Sequence, residues 1–215
     1  MHRLLYILSQ AWSIILYPML MPLYGILLFC YAIQTSPAQT SAIFSTIYYS
    51  LICVLGTLVL TVIIPITLLL YLRHKGHIDS LHIDNPRQRT TPYIYTLICY
   101  GFWAYFLHAT MQLPIFLLIV AIGAIVALAV VTFINRWWKI SAHLTGIGGL
   151  LGGVWSYAIY YSKMPFYIII SILISALFLM YARIYLNAHT PMQVVSGFIL
   201  GIIATFLPTM IIFYA

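Results

Sequence analysis

The sequence predicts an all-α integral membrane protein, a polytopic transmembrane helical bundle of six or seven spans with an active site at one membrane interface. Of its 215 residues, 64% are hydrophobic and only 5% are charged, and the mean hydropathy is +1.08. An ordinary soluble domain carries roughly 25% charged residues. The apolar residues also run continuously, which is typical of helices and not of strands with alternating faces. This much apolar surface requires a lipid environment.

A helix needs about 20 apolar residues to cross the hydrocarbon core. The chain offers seven such runs, at about 5–33, 43–72, 93–109, 112–135, 143–162, 165–182 and 193–214. Pro18 and Pro22 interrupt the first run, so its start is expected to lie in the plane of the membrane interface. The third and sixth runs are near the lower length limit. We expect residues 1–215 to form a single domain.

Charge limits the chemistry that this chain can perform. The sequence contains nine Lys and Arg residues but only two acidic residues, Asp79 and Asp84, and it contains no glutamate. Mechanisms with paired carboxylates and carboxylate-rich metal cages are therefore hard to build. The basic residues fall in short connections, where lipid headgroups and phosphates are more plausible partners than nucleic acid. The cysteines lack metal spacing, and the histidines near residue 77 fit no zinc signature, so no metal or other cofactor is expected.

Three polar clusters separate the apolar runs, at 73–92, 135–143 and 182–193. Two runs lie between the first and second clusters, and two more lie between the second and third. Because an even number of crossings returns the chain to its starting side, all three clusters are expected on one face of the membrane. Basic and histidine side chains on one face are what a phosphate site requires.

The clusters contain three short motifs, which are Arg87-Gln-Arg89-Thr-Thr-Pro92, Ser141-Ala142-His143, and Arg183 with His189 after five intervening residues and Gln193 four further on. The pattern resembles the membrane-bound type-2 phosphatidic acid phosphatase superfamily, which is related to bacterial acid phosphatases and vanadium haloperoxidases. The resemblance covers about residues 82–200. The third motif is its most specific part, since the Arg-to-His spacing matches.

The resemblance implies a role for each motif residue. His189 would be the nucleophile that forms a phospho-histidine, and His143 the general acid. The phosphate would be bound by Arg183, Ser141, Arg89, Arg87 and Lys139. Arg87, Arg89 and Lys139 also fit the alternative reading of topology signals and interfacial anchors.

Gln193 stands where the family has the aspartate that orients the nucleophilic histidine. As an i,i+4 neighbour on a helix, its amide oxygen is placed to accept from the ring N–H of His189. An amide cannot stabilise an imidazolium as an anion would. If a carboxylate substitutes, Asp84 or Asp79 is its only source.

These motifs predict an integral membrane phosphatase that hydrolyses a phosphomonoester or diphosphate on a lipid. Candidate substrates are phosphatidic acid, phosphatidylglycerol phosphate, another phospholipid phosphate, a polyprenyl diphosphate or lipid A. Two alternatives stay open, a lipid phosphotransferase that uses the same histidine and a non-catalytic phospholipid binder or transporter. The expected partners are the phosphorylated lipid and the bilayer, and the expected location is a bacterial inner membrane, with the site facing the cytoplasm.

Two further patterns carry structural expectations. The glycine-rich run 146–153 has the small-residue spacing that lets membrane helices approach closely, so it is expected to pack against another helix. The 18 tyrosines are expected to form belts at the membrane interfaces.

Overall fold

A computed structural model describes residues 2–34, 47–78, 86–161 and 164–214, and these residues form helices joined by short connections. The α-helices are α1 (His2–Ile15), α2 (Met21–Gln34), α3 (Ile47–Leu58), α4 (Ile64–His74), α5 (Thr90–Tyr105), α6 (Ile115–Ile134), α7 (Ala142–Tyr161), α8 (Phe166–Tyr185) and α9 (Pro191–Tyr214). Short 3-10 helices cover Pro18–Leu20 and Pro86–Arg89, and π-helical turns extend α3 at Val59–Ile63 and α5 at Phe106–Thr110. No strand occurs in these ranges, which confirms the all-α prediction.

Four helical stretches are long and apolar enough to cross a membrane, namely Ile47–His74, Ile115–Ile134, Phe166–Tyr185 and Pro191–Phe213. A fifth results if the bent pair Arg3–Ile15 and Pro18–Ala32 counts as one span. These helices are consistent with a multi-pass membrane protein. Helices α5 and α7 do not meet the same criteria of length and apolarity, so the described helices supply four or five candidate spans where the sequence predicts six or seven.

The first apolar run breaks at the proline that interrupts it. Tyr17 is extended, with φ −65° and ψ 138°, because the ring of Pro18 disfavours the helical conformation at the residue before it. The two halves of the run are bent by 41°. The break turns Tyr17 towards α7, where its ring contacts His143 edge to face at 5.4 Å.

Helix α7 lies at the centre of the bundle and packs against α9, α8, α2 and α6. Its contact with α9 is the most extensive between any two described helices. Glycines of both helices make this contact possible. A Cβ atom on Gly148 would meet the backbone carbonyl of Phe198, and one on Gly201 would meet the carbonyl of Thr145. The predicted close approach of the glycine run to another helix is therefore confirmed at Gly148.

A hydroxyl crosses the same interface. Thr205 of α9 donates a hydrogen bond to the carbonyl of Gly149 at 2.9 Å. At the start of both helices, the N–H of Ser141 donates to the carbonyl of Gln193 at 3.3 Å. The glycine contact and these two hydrogen bonds fix the register of α7 against α9.

We expect Gly148→Leu to destabilise the protein by about 3 kcal/mol or more, because the added side chain must separate two backbones in a packed core. Gly101→Leu is the matched control, since no atom lies within 4 Å of the position of its Cβ. Thermal unfolding in detergent measures both. Equal melting temperatures for the two variants would contradict the proposed packing.

Candidate functional site

The turn that ends α8 sets the position of His189 relative to Arg183. Asn187 adopts a left-handed backbone conformation with φ 51°, which asparagine tolerates better than most residues. The carbonyl of Arg183 then accepts hydrogen bonds from the N–H groups of Ala188 and His189, at 3.1 and 3.3 Å. The residues between Arg183 and His189 thus form a turn that brings His189 back against the last turn of α8.

Helix α9 begins with a capping box, in which Thr190 precedes Pro191 at the first helical position. The side-chain oxygen of Gln193 accepts the N–H of Thr190 at 3.2 Å, and the N–H of Gln193 donates to the hydroxyl of Thr190 at 3.5 Å. These bonds hold the carboxamide of Gln193 in one place beside His189. They also identify the facing atom as the oxygen of the amide, because a backbone N–H donates to it.

Two oxygen atoms face the Nδ1 atom of His189. It lies 3.1 Å from the carbonyl oxygen of Lys139 and 3.2 Å from Oε1 of Gln193. Since both oxygens only accept hydrogen bonds, Nδ1 carries the proton and donates to them. The other ring nitrogen, Nε2, then keeps its lone pair.

The surroundings of His189 keep its ring neutral. Burial and then the positive charge of Arg183 lower the pKa of His189 to about 4, with smaller contributions in the same direction from Arg89 and Lys139. The hydrogen bond with Gln193 acts in the opposite direction. At neutral pH the ring is therefore uncharged, which is the form in which a histidine is a nucleophile.

Two arginines are buried at the same end of the bundle. The exposed fractions are 5% for Arg89 and 8% for Arg183. Arg89 forms a hydrogen bond with Tyr93, and both arginines act electrostatically on Tyr17 and on His189.

No carboxylate side chain occurs among the described residues, since both acidic residues of the sequence, Asp79 and Asp84, lie in the segment 79–85 outside them. The hypothesis that Asp79 or Asp84 replaces the family's orienting aspartate therefore concerns residues outside the described part of the chain. The described residues thus bring two buried cationic side chains to this end of the bundle. We call the residues Tyr17, Arg89, Tyr93, His143, Arg183 and His189 the cationic end.

All six residues of the cationic end line one cavity with a volume of about 190 Å³. Its remaining wall is mainly apolar and comes mostly from α2, α5, α6 and α7, with single residues such as Met19, Met164 and Thr205 from other segments. The structure brings one residue or more of each of the three motifs to this same cavity.

Three other predicted site residues, Ser141, Lys139 and Gln193, are not among the residues that line the cavity. Ser141 is fully buried, and its hydroxyl accepts the N–H of Leu144 at 3.5 Å, as an N-cap of α7. Lys139 contributes its backbone carbonyl to His189 and is half-buried. The side chain of Arg87 lies outside the described part of the chain. Gln193 orients His189 without lining the cavity.

Sequence reasoning missed Tyr17 and Tyr93. All tyrosines were expected at the membrane interfaces, but Tyr17 contacts His143 and Tyr93 contacts Arg89. Two signals were present in the sequence. Tyr17 precedes the proline that breaks the first run, and Tyr93 follows Arg89 at the i,i+4 spacing of helix neighbours.

Comparison with known protein families, curated proteins and solved structures finds no match to this chain. The motif residues and their geometry therefore carry the functional argument. Among the described residues, no group of three or more His, Cys, Asp or Glu side chains is placed to bind a metal ion.

The lowered pKa of His189 predicts a measurable pH dependence. An unfolded histidine has a pKa of about 6.5, so the folded protein binds this proton less readily than the unfolded chain does. This difference in pKa stabilises the folded state fully above a pH of about 6.5. That stabilisation is lost as the pH falls towards about 4. At pH 5 we expect the nitrogen-15 spectrum of histidine-labelled protein to contain the signal of a neutral His189 ring with its proton on Nδ1. This signal should be absent from the spectrum of His189→Gln. A His189 ring that is charged at pH 6 would contradict this.

Proposed function

We propose that the protein is an integral membrane phosphatase that removes phosphate from a lipid through a phospho-histidine intermediate. The observation that carries the proposal is the shared cavity, in which two buried arginines and a neutral, oriented histidine lie at one end and apolar side chains form the rest. The cations suit a phosphate, and the apolar wall suits the lipid that bears it. The motif resemblance to the type-2 phosphatidic acid phosphatases agrees with this reading.

In the first step, Nε2 of His189 attacks phosphorus. A nitrogen–phosphorus bond forms as the bond from phosphorus to the lipid oxygen breaks, and His143 gives its proton to that leaving oxygen. Both histidines line the cavity. The released lipid is an alcohol, or a monophosphate where the substrate is a diphosphate.

In the second step, water attacks the phospho-histidine. His143 now accepts the proton of the water, the nitrogen–phosphorus bond breaks, and inorganic phosphate leaves. His189 returns to its neutral form with its proton on Nδ1. Each residue thus ends the cycle as it began.

Arg89 and Arg183 supply the electrostatic part of catalysis. The transferred phosphoryl group spreads negative charge over three oxygens in its transition state, and fixed cations in a site of low dielectric stabilise that charge. Because the arginines are already buried and positioned, little reorganisation is needed when the charge develops.

Gln193 and the carbonyl of Lys139 together perform the orienting task of the family's aspartate. The two neutral acceptors fix the tautomer of His189, but they stabilise a positive ring less than an anion would. The mechanism tolerates this, because the attacking histidine is neutral and the nearby arginines balance the charge of the phosphate.

We further propose that α5 and α7 also cross the bilayer, which would give seven crossings when the bent α1–α2 pair counts as one. The membrane is a bacterial inner membrane, and the cationic end faces the cytoplasm. A cysteine placed at the exposed Met192, beside the cationic end, tests the orientation, since labelling by an impermeant reagent from the periplasmic side alone would refute it.

His189→Ala and Arg183→Ala are expected to lower phosphate release from phosphatidic acid in detergent by about 100-fold or more, since they remove the nucleophile and a transition-state cation. Met192→Ala is the control, because this side chain is 70% exposed in the first turn of α9. Trapping with labelled substrate should give acid-labile phosphoprotein in the unmodified protein and none in His189→Ala. Unchanged turnover in either variant would refute the assignment.

His143→Ala separates the two histidines. We expect it to slow hydrolysis of an alkyl phosphate by about 100-fold or more, and to affect p-nitrophenyl phosphate much less, because nitrophenolate leaves without a proton. An equal loss for both substrates would contradict the general-acid role. Label that appears in an added lipid alcohol instead of free phosphate would indicate the phosphotransferase.

A further inference from the structure

The glycine run of α7 has two faces with different neighbours. Gly148 and Gly152 face the backbone of α9, while Gly146, Gly149 and Gly153 line the cavity. Helix packing accounts for the first pair. The second set also allows close packing at the cavity wall, since a Cβ atom on Gly146 would lie 3.0 Å from Cγ of Met21 and one on Gly153 would lie 3.0 Å from Cγ1 of Val120.

The wall of the cavity presents little hydrogen-bonding capacity. Three of the threonines that line it donate their hydroxyl protons to backbone carbonyls, Thr96 to Pro92, Thr145 to Ser141 and Thr205 to Gly149. The cavity is far larger than the roughly 10–15 Å³ that one water needs, and an apolar wall favours an apolar occupant.

Aromatic rings line the end of the cavity that is opposite the cationic end. The ring centroid of Tyr157 lies 5.9 Å from that of Phe29 and 5.6 Å from that of Phe116. All three residues are buried and line the cavity. From His143 to Tyr157, α7 rises by about 21 Å at 1.5 Å per residue. We call Phe29, Phe116 and Tyr157 the aromatic floor.

We infer that a single hydrocarbon chain of the substrate enters this cavity, with its phosphate at the cationic end, and that the aromatic floor limits the length of chain the protein accepts. The inference rests on the proposed function and adds where the lipid chain goes. The chain leaves the bilayer and lies inside the bundle, along the glycines of α7. A linear alkyl chain and a prenyl chain share this chemistry.

Ala124 offers a way to shorten the cavity without touching either end. It lines the cavity on α6, one helical turn from Val120, which is the residue that a Cβ atom on Gly153 would meet. A larger side chain at Ala124 therefore blocks the cavity part-way along. Ala129 of the same helix is exposed, so Ala129→Phe makes the same change on the outer face.

The test measures phosphate release from butyl, dodecyl and hexadecyl phosphate by the full-length protein in detergent. We expect Ala124→Phe to lower kcat/KM for dodecyl phosphate roughly tenfold to 100-fold more than for butyl phosphate, because the blocked dodecyl chain displaces the phosphate from the cationic end. Ala129→Phe should change neither. Ala124→Leu serves if Ala124→Phe fails to fold. Farnesyl phosphate beside dodecyl phosphate distinguishes a prenyl from a linear chain.

Failure of the inference and failure of the proposed function give different results. If butyl and dodecyl phosphate lose activity equally in Ala124→Phe, or if chain length has no effect, the inference is overturned while the phosphatase stands. If the unmodified protein releases no phosphate, entry of the alkyl chain into the cavity is tested by tryptophan fluorescence instead. Trp103 lines the cavity, so bromododecyl phosphate should quench emission that Trp103→Phe lacks, and an absence of that quenching overturns the inference.

Discussion

The contact between α7 and α9 is the constraint on which the rest of the structure depends. Gly148 and Gly201 let the two backbones touch, and their register places the start of α7 beside the start of α9. The N–H of Ser141 then reaches the carbonyl of Gln193, and the carbonyl of Lys139 reaches the ring of His189. A shift of one helix against the other would break both bonds. Glycines in the core of the bundle thus determine how Ser141, Gln193 and His189 are placed at its end.

Burial links that geometry to chemistry. The same packing that excludes water from His189 lowers its pKa, and the neighbouring Arg183 lowers it further. Two buried arginines line the same cavity as that neutral histidine. In the proposed function, the apolar part of the cavity binds the hydrocarbon chain of the substrate. The proposed phosphate binding, nucleophile activation and lipid recognition all depend on this one desolvated cavity.

Much of the fold follows from hydropathy. The apolar runs begin and end within a few residues of the helices wherever the structure describes them, and Pro18 breaks the first run as the chemistry of proline requires. The motif that contains Arg183 and His189 could also be recognised in the sequence, because its spacing is local and corresponds to the turn that ends α8. Tyr17 and Tyr93 were not predicted as site residues, because the proline after Tyr17 and the spacing of Tyr93 from Arg89 do not show that either tyrosine faces a cavity.

The sequence by itself determined the helical class, the shortage of carboxylates and the residues able to perform phosphate chemistry, because composition and short-range spacing do not depend on how helices pack. Only the tertiary structure decided which of those residues share a cavity. It uses Ser141 as a helix cap and Gln193 as the orienting group, and it divides one glycine run between a helix contact and the wall of a cavity. The physical reason is direction: sequence spacing places a residue on a helix, but only packing determines what that face of the helix meets.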